Sequence, residues 1–339
     1  MEQMILRGLS TEFYVKWFAV MSKNEVYLGI DTSCYTTSVA LIGREGGLVG
    51  EARRILQVKP GCRGLQQSEM VFQHTRNLPI LLEEVLKKPL KVIGIGVSAR
   101  PRPLEDSYMP AFLVGLGLAR SLAAVNEIPL WQISHQENHL EAGLWSAQGP
   151  DADRFLLLHA SGGTTDLLLA EKQTDSTYAL TQAGGSKDLH AGQFVDRVGV
   201  ALGLQFPAGA ALEQLAAIAA DCIELPVAVR QGDVSLSGPA TAALRKIEAG
   251  ADPAALAAGV QYALAETFVR MIRNVAAQKE IFDVLLVGGV VSNAYIRRHM
   301  IEKLAKRRIR VWIPESRFSP DNAAGCAAYA FRQGESSYE

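Results

Sequence analysis

The chain has 339 residues and a net charge of −1, with a pI near 6.6. That length exceeds what one hydrophobic core usually holds, so two lobes of about 100 to 200 residues are expected. The charge balance excludes a generally basic nucleic-acid binder, and any RNA contact is confined to a local patch or shared with a partner.

Cys34, Cys62, Cys222 and Cys326 are scattered, without a CxxC pair, as in a reduced cytoplasmic protein. Residues 1–23 include a short apolar patch, Phe13 to Met21, broken by Lys16, and are read as an extension outside the fold, neither signal peptide nor membrane anchor. Val26 to Ile30 is the first strand, followed by the hydroxyl-rich turn 31–37 and a second apolar run to Ile42. Thr32, Ser33 and Thr36 in that turn are candidate ligand contacts. Ser68 to Lys88 has helical periodicity, Val92 to Val97 reads as a strand, and Ser98 to Pro103 is irregular before a helix over Pro110 to Val125. Arg100 and Arg102, held by prolines just after a strand, are candidates for a phosphate or carboxylate, or else sit in a solvated loop.

His135-Gln-Glu-Asn-His139 follows a short apolar run ending at Ile133. If the stretch opens a helix, residues four apart share a face and both imidazoles reach one metal ion. Glu137 lies about 200° round the helix from His135, which argues against a zinc-protease arrangement. Two solvated or hydrogen-bonded histidines remain the alternative at this point.

Phe155 to His159, then Ala160-Ser-Gly-Gly-Thr-Thr-Asp166, then Leu167 to Ala170 repeat the strand, turn, strand shape and suggest a duplicated domain. In such turns glycines admit an anion close to the backbone, and NH groups and hydroxyls donate to it. Residues 182–245, rich in Gly, Ala and Ser, read as a mostly helical insert, and Pro253 to Gln278 as a long buried helix. Gly288 and Gly289 end a strand before a helix opening near Ser292-Asn293, which offers its N-terminus to a nucleotide. Lys303 to Arg310 is a dense basic run, read by default as a solvated helix end rather than an RNA contact. Asp321 is expected to start the final helix, as an N-cap or as a carboxylate completing a metal site with two histidines.

The order of these motifs (HxxxH, Ser-Gly-Gly, Gly-Gly-Val-x-Ser-Asn, Asp-Asn-Ala-Ala) resembles the TsaD/Gcp family from about Tyr27 to Phe331. The resemblance implies an α/β, duplicated actin/sugar-kinase/Hsp70-like fold, two lobes with the nucleotide and metal site between them. The lobes are then 24–145 and 146–332, with 333–339 as a tail. It implies a divalent metal, iron or zinc, on His135, His139 and Asp321. An adenine nucleotide or threonylcarbamoyl-AMP falls to Ser161, Gly162, Gly163, Thr164, Thr165, Asp196, Gly209 and Asn293, with Gly288 and Gly289 nearby. The implied activity moves a threonylcarbamoyl group to the tRNA adenosine 3′ of the anticodon. A smaller partner of the same fold and an ATPase are implied as partners, and no membrane.

Several positions depart from the family pattern. An Asp-Glu pair in the first turn is Tyr35-Thr36 here, the histidine after Ser-Gly-Gly is Thr164, a Gly-Glu is Gly192-Gln193, and a Gly-Pro-Gly turn is Arg100-Pro-Arg102. Loss of ionisable neighbours with retention of binding positions also fits a metal- and nucleotide-binding paralogue acting as partner or regulator. Carbamoyl transfer to a non-RNA acceptor is the further alternative.

Overall fold

The computed structural model describes residues 24–58 and 65–336; the expected N-terminal extension, Cys62 and residues 337–339 lie outside them. The chain divides into two compact units, one formed by the N-terminal part to Glu141 together with the segment from Asn322, the other by Ala142–Asp321. No described helix is long and apolar enough to cross a membrane.

In the first unit β1 (Glu25–Asp31), β2 (Thr36–Gly43) and β3 (Leu48–Ile55) form an antiparallel meander. Helix α1 (Gln67–Val85) leads to β4 (Lys91–Arg100), which pairs parallel with β1, and α2 (Phe112–Asn126) leads to β5 (Leu130–Ser134), parallel to β4. The sheet order is therefore β3-β2-β1-β4-β5. Strand β4 runs past the expected end to Arg100, because Ser98 and Arg100 pair with Ile133 and Ser134 across a register shift. A local polar composition does not stop a strand whose neighbour supplies the ladder. β1 lies in the middle and is buried from Val26 to Asp31, which explains its unbroken apolar run.

Helix α3 (His135–Ala147) follows β5 directly, and the boundary between the units falls within it. The second unit repeats the plan with β6 (Arg154–Ala160), β7 (Thr165–Lys172) and β8 (Tyr178–Ser186) as a meander. Helices α4 (Ala191–Ala201) and α5 (Gly209–Ala217) come next, then the short strands β9 (Ala228–Arg230) and β10 (Asp233–Ser235) and helix α6 (Ser237–Glu248). The stretch 182–245 is thus not mostly an insert of helices. Its first residues finish β8, and the β9–β10 hairpin extends the sheet, with strands of three residues that are too short to show a period.

Helix α7 (Pro253–Lys279) starts with Pro253 at its first turn and Asp252 accepting a hydrogen bond from the Ala255 NH. It is buried on most of its circumference, which is why alanine fills it. Then come β11 (Asp283–Val287), α8 (Ala294–Ala305) and β12 (Arg310–Trp312). The sheet order β12-β11-β6-β7-β8-β10-β9 contains the first sheet's order with β6 in the place of β1.

The final helix α9 (Ala324–Ser336), expected in the second lobe, packs on β1, β4 and β2 of the first unit. It also takes in residues 333–336, expected to be tail. Gly29 and Gly96 admit it: a Cβ on Gly29 would collide with the Ala323 carbonyl and one on Gly96 with the Cys326 carbonyl.

Candidate active site

Two groups of functional side chains emerge, one in each unit. In the first, α3 begins abruptly after β5 because Ser134 and Glu137 form a reciprocal cap. The Ser134 hydroxyl accepts from the Glu137 NH at 3.2 Å, and the Glu137 carboxylate accepts from the Ser134 NH at 2.6 Å. Glu137 therefore holds the helix start and turns away from the histidines, as its angular position predicts. His135 and His139, one helical turn apart and both buried, bring their Nε2 atoms to 3.2 Å. Two imidazole nitrogens on one tetrahedral ion at about 2.05 Å each would stand about 3.3 Å apart, so the observed pair fits a metal without rearrangement. Imidazole donors suit zinc or ferrous iron.

Behind His135 lies Asp31, at 0 % exposure. Its Oδ2 accepts from the Ser33 hydroxyl at 2.6 Å, its other oxygen accepts from Ser98, and Oδ2 stands 3.7 Å from His135 Nδ1. At that distance the carboxylate faces the far nitrogen of His135 without a hydrogen bond to it. Thr37 and His74 add a buried contact at 2.8 Å between the Thr37 hydroxyl and His74 Nδ1. Burial holds the His74 pKa down, against the opposing pull of Asp31 and a Cys34 backbone hydrogen bond.

The first-turn candidates divide by role. Thr32 donates to the Ala111 carbonyl and accepts from the Gly115 NH, and Ser33 is engaged by Asp31, so both brace the turn. Thr36, also buried, closes the same turn through its NH to the Ser33 carbonyl at 3.2 Å. Arg100 ends β4, and the Arg102 NH is bound by the Ser107 hydroxyl; Pro101 between them accepts from the Gln136 NH, which seats this stretch beside the start of α3.

Asn138 on α3 donates to the Asn322 carbonyl at 2.7 Å and accepts from the Cys326 NH at 2.8 Å. The cap of α9 is Asn322, whose side chain accepts from the Ala324 NH at 2.9 Å. Asp321, anticipated as a cap or a metal ligand, lies directly before that residue. Asn138 fixes the residue that follows Asp321 against the helix that carries both histidines.

In the second unit a cavity of about 320 Å³ is lined by Gly162, Asp196, Gly209, Glu213, Gln261 and Asn293, among others. No atom lies within 4 Å of a Cβ built on Gly162, Gly209 or Gly289, so these glycines leave open the space that side chains would fill. Gly209 is the first residue of α5, where backbone NH groups are not used within the helix. Asp196 accepts from the Ala208 NH at 2.8 Å, and burial pushes its carboxyl above the ordinary 3.8. Asn293 caps α8, its Oδ1 accepting from the Ile296 NH at 3.0 Å, and it lines the cavity with its NH₂ not used in that cap. Carboxylate, amide and helix N-termini around a glycine-lined hollow match the hydroxyls and phosphate of a nucleotide.

Of the residues expected to touch nucleotide, Gly162, Asp196, Gly209, Gly289 and Asn293 line the cavity. Ser161, Gly163 and Thr164 belong to the same loop without lining it. Thr165 is buried, with its hydroxyl accepting from the Ala191 NH at 2.8 Å and anchoring α4. Gly288, at φ +101°, makes the sharp exit from β11, where a Cβ would meet the Ala160 carbonyl. Sequence reading missed Glu213, Gln261 and Gly192. Gln261, a polar residue 5 % exposed in an alanine and valine helix, was the signal available.

A protein-family model described as TsaD, tRNA N6-adenosine threonylcarbamoyltransferase, matches residues 67–328. The chain is 32 % identical over 316 residues to the tRNA N6-adenosine threonylcarbamoyltransferase of Thermus thermophilus, covering 90 % of this chain and 92 % of that one. It is 30 % identical over 305 residues to the enzyme of the same name from Methanopyrus kandleri, covering 88 % and 85 %. Among solved structures, full-length HypF aligns with a TM-score of 0.59 at 12 % identity, over 93 % of this chain and 55 % of that one. A ROK family glucokinase from Streptomyces griseus aligns at 0.52 and 12 %, over 90 % and 99 %. These likenesses place the fold among actin-like and sugar-kinase-like proteins. By sequence along most of its length, the chain belongs to the TsaD family of tRNA N6-adenosine threonylcarbamoyltransferases.

Proposed function

We propose that this chain transfers a threonylcarbamoyl group from threonylcarbamoyl-AMP to N6 of the tRNA adenosine 3′ of the anticodon. The glycine-lined cavity with Asp196 and Asn293 on its wall is the observation that carries the reading. It has room for the adenylate, with Asp196 to accept from ribose hydroxyls and the NH groups at the start of α5 and of Gly162 to meet phosphate. The adenosine amine attacks the carbamoyl carbon. A C–N bond forms, the bond from that carbon to the phosphate oxygen breaks, AMP leaves with the electron pair, and the amine gives up one proton.

His135 and His139, with Asp321 as the third ligand expected from sequence, would hold one divalent ion. It would supply Lewis-acid stabilisation of negative charge on the carbonyl and phosphate oxygens. The buried Asp31 carboxylate faces His135 Nδ1 and adds negative charge behind the ring. A smaller partner of the same fold and an ATPase complete the assembly by family analogy.

The test is transfer of label from threonylcarbamoyl-AMP to unmodified tRNA by the purified chain with partner subunits, with and without iron or zinc. Product that disappears with His135→Ala supports the reading and shows that Tyr35, Thr36 and Thr164 suffice at their positions. Absence of product alongside intact nucleotide binding shows instead the binding paralogue that Tyr35 and Thr36 favour.

A further inference from the structure

The basic run of α8 and its exit has a structural setting that the cavity does not use. From Arg297 to Arg310 the chain carries seven Lys and Arg residues and one acidic residue, Glu302, in a protein of net charge −1. Arg298, Lys303, Lys306, Arg307, Arg308 and Arg310 are all exposed. Lys303 reaches Glu266 at 3.8 Å and Arg310 binds Asp283 at 2.7 Å. Lys306, Arg307 and Arg308 have no ion-pair partner among the described residues.

Arg307 also lines an open hollow of about 640 Å³, with Arg273, Asn274, Gln231 and Phe282 among the other walls. Phe282 is 57 % exposed, an aromatic ring left in water beside guanidinium groups. Cations that grip phosphate, amides, and an open ring on which a base can stack are together the chemistry of a nucleic-acid contact. An acidic peptide needs the charge but not the ring.

The position along the molecule also fits a polymer. Helix α7 lines the nucleotide cavity as far as Leu264 and the hollow from Arg273, nine residues or about 13.5 Å further along the axis. The hollow is a separate place on the same helix, within reach of an RNA whose reacting base lies at the cavity.

We propose that Lys306, Arg307 and Arg308 with Phe282 form a second docking surface for the RNA substrate, remote from the cavity, that binds its phosphates and stacks one base. This rests on the tRNA acceptor proposed above.

The experiment is tRNA binding by the full chain, followed by fluorescence anisotropy between 50 and 200 mM salt, in a range where phosphate contacts dominate the salt slope. A variant with Lys306→Glu, Arg307→Glu and Arg308→Glu is expected to weaken binding at least tenfold at low salt. It should lower the slope of log K against log salt by about 2 to 3, at about 0.7 to 0.9 for each phosphate contact. Phe282→Ala is expected to weaken binding about tenfold with the slope unchanged. Unchanged melting temperature and nucleotide affinity in both variants establish that the fold and cavity are intact. Wild-type affinity and slope in both variants overturn the docking surface and leave the acceptor assignment standing. If the same variants lose a partner subunit but keep tRNA, the surface serves an acidic protein and the proposal is overturned. Failure of the wild-type chain and its assembly to bind tRNA overturns the acceptor assignment and this inference together.

Discussion

Asp196 is one of two carboxylates, with Glu213, on the wall of the nucleotide cavity, and burial raises its pKa. Asp196→Ala is expected to weaken adenine-nucleotide binding about 10- to 100-fold, the effect of losing hydrogen bonds to a charged group worth about 1.5–3 kcal/mol; calorimetric titration measures it. Because burial raises the folded-state pKa, the ionised acceptor is lost as pH falls through a value above 3.8. Affinity should fall on that side, and Asp196→Asn should flatten the dependence. Asp31 makes a second case. Asp31→Asn removes the charge facing His135, and its NH₂ must donate to one of the two serine hydroxyls that now donate to the carboxylate; metal binding should weaken about 10- to 100-fold in a chelator competition. His135 and His139 were legible as candidates from their spacing and Asn293 from the helix that opens there, whereas Asp196 and Gly209 were named only through the family resemblance. Asp31 as the carboxylate facing His135 was not legible, since that position comes from strand pairing that sets β1 beside β4 and from the start of α3 beside it. Glu213 lines the cavity one turn beyond Gly209, a consequence of where α5 begins that no local pattern announced.

Elements here are fixed to one another by close backbone contacts and shared caps. A Cβ on Gly192 would stand 2.6 Å from the Gly162 Cα and 2.7 Å from the Ser161 carbonyl oxygen. Both are backbone atoms that cannot swing aside, so Gly192→Ala should cost about 1–3 kcal/mol in denaturant unfolding and displace the glycine loop from the cavity wall. Asp188 pins β8, β10 and α6 in another way. Despite partial desolvation, hydrogen bonds from the Ser235 and Ser237 hydroxyls and the Leu236 and Leu189 NH groups hold its carboxyl well below the ordinary 3.8. A depressed carboxylate contributes stability that is present above 3.8 and lost as pH falls through the folded value. Asp188→Asn should therefore lower the melting temperature at neutral pH and remove part of the loss seen in acid. Helix α1 was legible from its periodicity and α7 from its alanine-rich composition. The β9–β10 hairpin was not, because strands of three residues are made by the sheet edge they join and not by their own composition.

At the level of the whole chain, ligand binding and folding are linked by mass action. An adenine nucleotide at about 100 times its Kd should add about 2.7 kcal/mol of stability and raise the melting temperature; no shift at millimolar AMP or ADP would count against the cavity. The duplicated plan was visible early, since the two turns at 31–37 and 161–164 sit between strands in the same way. The sheet order repeated as β3-β2-β1-β4-β5 and β8-β7-β6-β11-β12 is its full form. The place of α9 was not visible, because a helix at the end of a chain carries no mark of the sheet that receives it. That placement sets an order on synthesis. Residues 142–321 are continuous, so the second unit has all its parts once Asp321 leaves the ribosome. The first unit, begun more than a hundred residues earlier, must wait with Gly29 and Gly96 uncovered until the last 15 described residues arrive to close its sheet. A chain cut short before Asn322 would keep its nucleotide cavity and leave the histidine helix without the segment that Asn138 clasps.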